Sequence, residues 1–237
     1  MIITWISKEG GRTINEDAVG KSKKRGIVCL VVADGLGGHR GGEIASGLAV
    51  NTILSEFERD PGFSKEHILK YVESAKEKIT DRAMNDPELL YMSSTAAVLL
   101  IKGRRAIWAN VGDSRIYKFC DGLITDVSED HSLAFIDFVN GVIEYDQIRT
   151  SPNQNKLTSA IGVAMDGVNV SEIFHINSHT SFLLCTDGWW EHIPDSDMEA
   201  SLSKAKDAKM WLSEMLKIRE ENAPSDSDNF TAAAVMI

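Results

Sequence analysis

The 237-residue chain predicts an α+β fold in which paired helices stack on antiparallel sheet. Three observations carry that expectation. Short, β-branched apolar runs follow one another across tight turns, without the crossover helices that parallel strands need. Two long stretches with apolar residues at helical spacing stand side by side early in the chain. A third helical stretch comes just before a last apolar run at the C-terminus.

In chain order, residues 1–6 read as a first strand; they are too few and lack the basic start of a secretory signal. Residues 26–33 (GIVCLVVA) read as a buried strand that stops at the Asp34-Gly35 turn. Residues 41–57 place Ile44, Ala45, Leu48, Ala49, Ile53, Leu54 and Phe57 at helical spacing. A second helix is expected over 64–84, with Ser64 as N-cap. Strands are expected at 96–101, 106–110 and 114–119. Residues 102–105 form a hairpin turn between the first two, and 111–113 turn into the third. Further strands are expected at 171–176 and 182–186, a helix at 208–221, and a closing strand at 231–236. Residues 131–157 are irregular and polar, which suits a lid or flap better than core.

Composition bounds the function. The chain is long enough for one domain over 1–237 with a sizeable core, and it is 43% hydrophobic with 5 Pro and no low-complexity segment. A formal charge of −10 argues against nucleic acid or an anionic membrane as partner. Cys29, Cys120 and Cys185 form no C-x-x-C pair, and the expected role is buried core in a reducing, cytoplasmic setting. No apolar run is long enough to span a bilayer. A monomer is expected.

The acids carry the chemistry. Asp34-Gly35 and Asp187-Gly188 each follow a strand of apolar residues, and a carboxylate there is costly unless its charge is compensated. Glycine after it lets the backbone turn and a carbonyl approach an ion. Asp228 precedes the last strand, Asn15-Glu16-Asp17 precedes the 26–33 strand, and Asp113 sits in a turn. Singly, each reads as ordinary turn or cap chemistry. Together they form a hard-oxygen set suited to Mg²⁺ or Mn²⁺ rather than Zn²⁺. A pair of such ions ~3.5–4 Å apart would deprotonate water near neutral pH and clamp phosphoryl oxygens. Arg12 offers a planar fork for two phosphate oxygens; a surface salt bridge is its alternative reading. His67, His175, His179 and His192 show no metal spacing. The 37–42 glycine loop lacks the Lys-Ser/Thr of a P-loop.

The runs at 12–17 (RTINED), 32–39 (VADGLGGH), 110–117 (NVGDSRIY), 130–133 (DHSL), 155–162 (NKLTSAIG), 185–188 (CTDG) and 227–231 (SDNFT) resemble, in order and almost from end to end, the bacterial branch of the metal-dependent protein phosphatases (PPM, or protein phosphatase 2C, family). The resemblance implies a four-layer α-β-β-α sandwich of two antiparallel sheets between antiparallel helices. It implies hydrolysis of phosphoserine and phosphothreonine at two Mn²⁺ or Mg²⁺ ions by a water or hydroxide that bridges them. Asp34 would bridge the ions, with the Gly35 carbonyl on one of them; Asp187 and Asp228 would complete the set of ligands around the first ion. Glu16 and Asp17 would serve the second ion directly or through water, and Asp113 with Asp187 would hold a third, weaker one. Arg12 would bind substrate phosphate, and 131–157 would be the flap. Partners would be phosphorylated proteins and a cognate Ser/Thr kinase.

Some departures stand out. Leu36 occupies the place where some members carry a histidine acting as general acid, and His39 is the nearby candidate. Residues 92–95 carry Ser where Gly is more usual. Glu191 reads either as a carboxylate supporting the third ion or as a solvated acid at a helix start. A catalytically dead phosphoprotein binder would have lost a ligand, and every main position is filled. A hydrolase of small phosphate esters would use the same acids, since they are indifferent to what carries the phosphate.

Overall fold

Alternation along the strands decides the layering. In the strand Ile27–Ala33 all seven residues are buried, yet they divide between two cores: Cys29 and Val31 face one way, Leu30 and Val32 the other. A strand buried on both faces must lie inside a stack, because successive side chains point to opposite sides. The computed structural model, which describes residues 1–37, 41–162 and 166–237, builds that stack.

The strands in chain order are β1 (Ile2–Lys8), β2 (Ala18–Lys24), β3 (Ile27–Ala33), β4 (Gly35–Leu36), β5 (Ser93–Ser94), β6 (Ala96–Lys102), β7 (Arg105–Val111), β8 (Arg115–Cys120), β9 (Leu123–Val127), β10 (Asn169–Val170), β11 (Phe174–His175), β12 (Thr180–Cys185) and β13 (Phe230–Met236). One sheet runs β1-β13-β12-β8-β9 and the other β10-β7-β6-β3-β2, with β11 also on β7. The recorded pairings are antiparallel. The helices are α1 (Gly41–Arg59), α2 (Lys65–Met84), α3 (Leu133–Val139), α4 (Asp187–Trp190), α5 (Asp195–Lys204) and α6 (Ala208–Asn222).

Three apolar clusters fill the three interfaces. α1 and α2 cover the outer face of the β3-β6-β7 sheet, with Ile53, Phe57, Tyr71 and Ile79 against Cys29, Val31, Val98 and Ile107. Leu30, Val32, Leu99 and Trp108 meet Ile116, Phe182, Leu184 and Val235 between the sheets. Trp189, Met198, Trp211 and Met215 cover Tyr117, Phe119, Leu183 and Ala234 on the far side. The expected four-layer α-β-β-α arrangement is therefore what forms, with hydrophobic burial as its main driving force.

Most expected elements form within a residue or two of their expected ends, including the Ser64 cap, whose hydroxyl accepts from the His67 amide. Three expectations need correction. Of the strand expected at 171–176 only Phe174–His175 (β11) forms, and a second short strand, β10, lies just before it. Val170 pairs with Ala109 and Phe174 with Ala106, so this side carries one residue more than its partner. Ser171 fills the bulge: its amide donates to the Trp108 carbonyl, and its hydroxyl accepts from the Trp108 amide, both at 3.0 Å. The segment 131–157 is not wholly irregular. It holds α3, capped by Ser132, and a 3-10 helix over Tyr145–Thr150, and it seats Phe135, Phe138, Tyr145 and Ile148 against the third layer. Finally, Cys29 and Cys185 are buried as expected, but Cys120 is only half-buried. Among the described residues, no helix is long and apolar enough to cross a membrane.

Candidate metal and phosphate site

Topology brings the acids together. β3 and β7 both pair antiparallel with β6, so their C-terminal ends share one end of their sheet, and β2 begins there too, with Ala18 opposite Ala33. In the other sheet β12 ends and β13 begins at a common end, with Cys185 opposite Ala232. Asp17, Asp34 and Asp113 thus come from one sheet, and Asp187 and Asp228 from the other. The chain crosses between the sheets at this same end three times, through residues 9–17, through Gly112-Asp113-Ser114 and through the segment that joins β9 to β10.

A cavity of about 200 Å³ opens there, lined by Arg12, Glu16, Asp34, Gly35, Leu36, Gly37, Asp113, Asn155, Leu157, Asp187, Asp228 and Asn229. Larger hollows of about 450 Å³ near His179 and about 370 Å³ near Trp108 are lined by no more than two acids each. Charge, not volume, singles out the smaller one. Of the expected site residues, Asp17 lies behind the cavity rather than on it. His39 lies outside the described residues, and among the described residues no histidine lines the cavity.

The acids are held by neighbours that the sequence reading passed over. The Asp34 amide donates to Thr95 Oγ1 at 2.9 Å, and the Asp34 carbonyl accepts from the Thr95 amide and the Ser94 hydroxyl, each at 2.9 Å. Thr186 Oγ1 donates to Asp17 Oδ2 at 2.9 Å, while Asp17 Oδ1 is buried without a partner. Asn229 works as a clasp: its Oδ1 accepts from the Glu16 amide at 2.8 Å, and its Nδ2 donates to the Glu9 and Ile14 carbonyls at 2.8 and 2.9 Å. Arg219 sends Nε to the Gly188 carbonyl at 2.7 Å, and Nη2 to Ser227 Oγ at 3.1 Å and the Asp228 carbonyl at 3.3 Å. Its guanidinium lies 3.5 Å over the Phe230 ring. Arg115 grips Asp130 through three bonds of 2.6–3.1 Å and stacks 3.6 Å over Trp190, whose Nε1 donates to the Asp113 carbonyl at 3.0 Å.

Two glycines are required by close approach. A Cβ on Gly35 would lie 2.0 Å from the Gly42 carbonyl oxygen and 2.6 Å from that of Glu16, and one on Gly188 would lie 2.1 Å from that of Asn229.

The electrostatics are those of too many carboxylates in too little water. Burial first, and then the charges of Asp187, Asp17 and Asp113, push the Asp34 carboxyl well above the usual range. Burial and then Asp187 and Asp130 do the same to Asp113. Asp17 is pushed up to about 8 and Asp187 to about 6, both mainly by burial. Asp34 and Asp187 stand close enough that a shared proton or a cation is needed between them. Glu191 caps the end of α4 rather than starting a helix. Its Oε1 is buried without a partner, and burial with the Asp187 charge raises it to about 8. The solvated-acid reading of Glu191 therefore fails.

The donor set fits hard divalent cations. The donors are oxygens, two buried carboxylate oxygens lack a partner among the described residues, and Gly35 and Gly42 leave room for backbone at the cavity wall. Among the described residues no three acids are gathered tightly enough to grip one ion alone. Mg²⁺-type ions keep several waters and take few carboxylates, so a loose set of this kind suits them. Arg12 stands at the rim, with Nη2 3.0 Å from Asp228 Oδ2 and both side chains about half exposed. An exposed pair of that kind is worth ~0–1 kcal/mol, so the guanidinium can turn to an incoming anion at little cost.

Comparison with known proteins points to one family. The profile of the protein phosphatase 2C family matches residues 7–228. The serine/threonine phosphatase stp of Listeria monocytogenes is 30% identical over 215 residues, covering 87% of this chain and 83% of that protein. Protein phosphatase PhpP of Streptococcus pneumoniae is 29% identical over 230 residues, covering 94% and 92%. The crystal structure of Stp1 from Staphylococcus aureus shares the fold at a TM-score of 0.90 and 24% identity, covering 99% of this chain and 94% of that one. With two antiparallel sheets delivering their acids to one end, and a match that leaves out only the two termini, the chain belongs to the protein phosphatase 2C family.

Proposed function

We propose that this chain is a protein serine/threonine phosphatase that hydrolyses phosphoserine and phosphothreonine with two bound divalent cations, Mn²⁺ or Mg²⁺, and that it opposes a Ser/Thr kinase. One observation carries the reading. Carboxylates from both sheets converge on a cavity whose rim holds a loosely paired arginine. Serine/threonine phosphatase activity is what the Listeria relative's name records, and protein phosphatase activity the Streptococcus relative's; the cation chemistry and the kinase are this proposal's own.

Asp34, Asp187 and Asp228 would serve the first ion with the Gly35 carbonyl, at least one of these acids through water. Asp34 would also serve the second ion with Glu16, and Asp17 would act on it from behind. Asp113 and Asp187 would take a third, weaker one. Bound there, the ions would polarise a phosphoryl oxygen and lower the pKa of water to near neutrality. The chain's own residues do the rest. Arg12 has one nitrogen on Asp228 and its remaining N–H groups free to take two phosphoryl oxygens in its plane. Leu36 and Leu157 in the cavity wall limit solvent around the reacting phosphate. Arg219 and Asn229 fix the two acidic loops at either side, so that little reorganisation accompanies binding.

The test is hydrolysis of a phosphothreonine peptide and of an aryl phosphate with Mn²⁺, Mg²⁺, Zn²⁺ or excess EDTA, together with calorimetric titration of the metal-free protein with Mn²⁺. Turnover should need Mn²⁺ or Mg²⁺, and two ions should bind. Full activity in excess chelator would overturn the cation reading. Turnover of the aryl phosphate without any phosphopeptide would move the chain to small phosphate esters.

A further inference from the structure

The flap carries an apolar stripe that its own packing leaves unused. α3 turns Ala134, Phe135 and Phe138 toward the third layer, but leaves Leu133, Ile136 and Val139 exposed by 39%, 44% and 67%. Residues three apart are neighbours along a helix surface, so these side chains form one row. Val142, just past the helix, is 70% exposed and extends it. The row starts at the cavity. Ser132 and Leu157 form an antiparallel bridge, the Leu133 amide donates to the Lys156 carbonyl at 2.9 Å, and Leu157 lines the cavity wall. At ~1.5 Å per residue the row from Leu133 to Val139 spans about 9 Å, which roughly three residues of extended chain would cover.

We propose that this row is the docking track for apolar side chains that flank the phosphorylated serine or threonine of a protein substrate. It makes the enzyme favour phosphosites with apolar flanks over charged ones, and it rests on the phosphoprotein reading above. Continuity names the occupant: a chain whose phosphate sits at Arg12 has to leave the cavity over one of its walls, and the Asn155–Leu157 wall leads onto Leu133. Charge favours the same occupant. The chain is strongly acidic, yet the row presents no charge. Beside it, Asp137 is held by Asn153 Nδ2 and Lys156 by Asn153 Oδ1, both at 2.8 Å. The side chains of the row itself offer no ion pair to a charged flank, whereas apolar flanks gain by leaving water. The track is also anchored. Arg149 of the flap donates to the Trp190 carbonyl, to the Ile193 carbonyl at 2.9 Å and to Asp195 at 2.7 Å, so docking does not have to order it.

The experiment compares kcat/KM on phosphothreonine peptides carrying Leu-Val-Leu or Glu-Glu-Glu on either side of the phosphoresidue, with an aryl phosphate as the flank-free control. The wild-type protein should favour the apolar flank on one side by about tenfold, the scale of one or two buried apolar side chains. Ile136→Asp and Val139→Asp should each erase most of that preference, with aryl phosphate turnover and Tm unchanged. Val139 is exposed enough that its substitution leaves packing intact even if Ile136→Asp does not. The proposal falls if the wild type shows no preference, or if the preference survives both substitutions. It falls equally if Val139→Asp loses aryl phosphate and peptide turnover alike, or if it dissolves a dimer, which would give the row to a second copy. Aryl phosphate turnover with no phosphopeptide turnover in the wild type would sink the phosphoprotein reading itself.

Discussion

Asp34-Gly35 and Asp187-Gly188 are the same dipeptide in nearly the same setting, and they behave differently. Each follows a fully buried strand, β3 or β12, and each glycine is pressed against a carbonyl of another loop. After Asp34 the chain makes the two-residue strand β4; after Asp187 it starts α4. Asp187 is favoured in its charged form by a hydrogen bond with Asp34, by the Gly188 amide, which that start turns back onto its Oδ1 at 2.6 Å, and by the field of Arg12. Among the described residues no amide or hydroxyl donor reaches the Asp34 carboxylate; its neighbours brace only its backbone. Asp187 therefore rises only to about 6, while Asp34 is held well above the usual range. Of two acids at equivalent strand ends, Asp34 is the one whose charge depends most on something brought in from outside.

The sharpest break of that comparison is Asp34→Asn beside Asp187→Asn. Both keep size and remove charge. Asp34→Asn should lower kcat by ~10³-fold or more, about 4 kcal/mol of transition-state stabilisation, and should abolish binding of two ions. It should also stabilise the metal-free protein, because the most strongly opposed buried acid is gone. Asp187→Asn should cost activity too, but should stabilise the metal-free protein less. Turnover, calorimetric stoichiometry and thermal unfolding in EDTA decide it. A folded Asp34→Asn protein that binds two ions and works within about tenfold of wild type would refute the role given to Asp34.

Among the described residues, Arg219 is what Asp187 has and Asp34 lacks: a charged side chain fastened to the carbonyl of the following glycine. Arg219→Met should lower Mn²⁺ affinity by about 10–100-fold, the usual cost of removing a residue that orients ligands. It should also destabilise the fold by roughly 1–3 kcal/mol, for carbonyls left unpaired. Arg219→Lys keeps the charge without the fork and should fall between. Saturating Mn²⁺ should recover most of the turnover in either variant, which a general loss of structure would not permit. Mn²⁺ titrations that match wild type would confine Arg219 to packing.

Much of the scaffold was legible because its cause is local. β3, β6 and β12 are apolar runs ended by turns, and α1, α2 and α6 carry helical spacing. β2 and β9 escaped because they are edge strands: β2 is rich in lysine, as exposed edges tend to be. A usable signal was present in both. Arg25-Gly26 and Asp121-Gly122 adopt positive φ at both positions, the two-residue hairpin geometry for which Asp-Gly is a marker. α3 was missed because seven residues are too few to show a period. In the site, the acids were visible as motifs, but Thr95, Thr186, Asn229 and Arg219 were not. Each acts on a segment brought near only by the fold, as when Arg219 reaches back to Gly188, and no spacing announces such contacts. His39 lies outside the described residues, so its role stays an expectation from the resemblance.

Arg12→Ala probes the rim of the same cavity. Its pairing with Asp228 is weak, so the fold should barely notice the change. If it takes substrate phosphate in the ground state, KM should rise by about tenfold, with kcat falling less. Steady-state kinetics on a phosphopeptide measure both. Two unchanged parameters would return Arg12 to a surface salt bridge.

The smallest effect, and the most direct reading of the crowded acids, is the pH dependence of the metal-free protein. Asp17 and Glu191 at about 8 and Asp187 at about 6 all lie above the ordinary carboxyl value near 4. Between those limits the folded protein holds protons that the unfolded chain has released. Stability contributed this way is fully present below about pH 4 and is lost as pH rises through the folded values. His131 and His192, lowered mainly by burial, act in the opposite sense, raising stability with pH until the unfolded histidines have released their protons, about one unit above 6.5. The decline from pH 6.5 to 8 therefore belongs to the acids. In EDTA, Tm should fall across that interval by a few degrees, at roughly 2–4 °C per kcal/mol for a chain of this size. With Mn²⁺ the trend should flatten or reverse, because cation binding favours the ionised carboxylates. In Asp34→Asn with EDTA the fall should be shallower, since one of the charges that raises its neighbours is missing. Scanning calorimetry at pH 6.5, 7, 7.5 and 8 measures all three curves, and a Tm in EDTA that stays level would mean that the acids are not crowded in solution as they are in this structure.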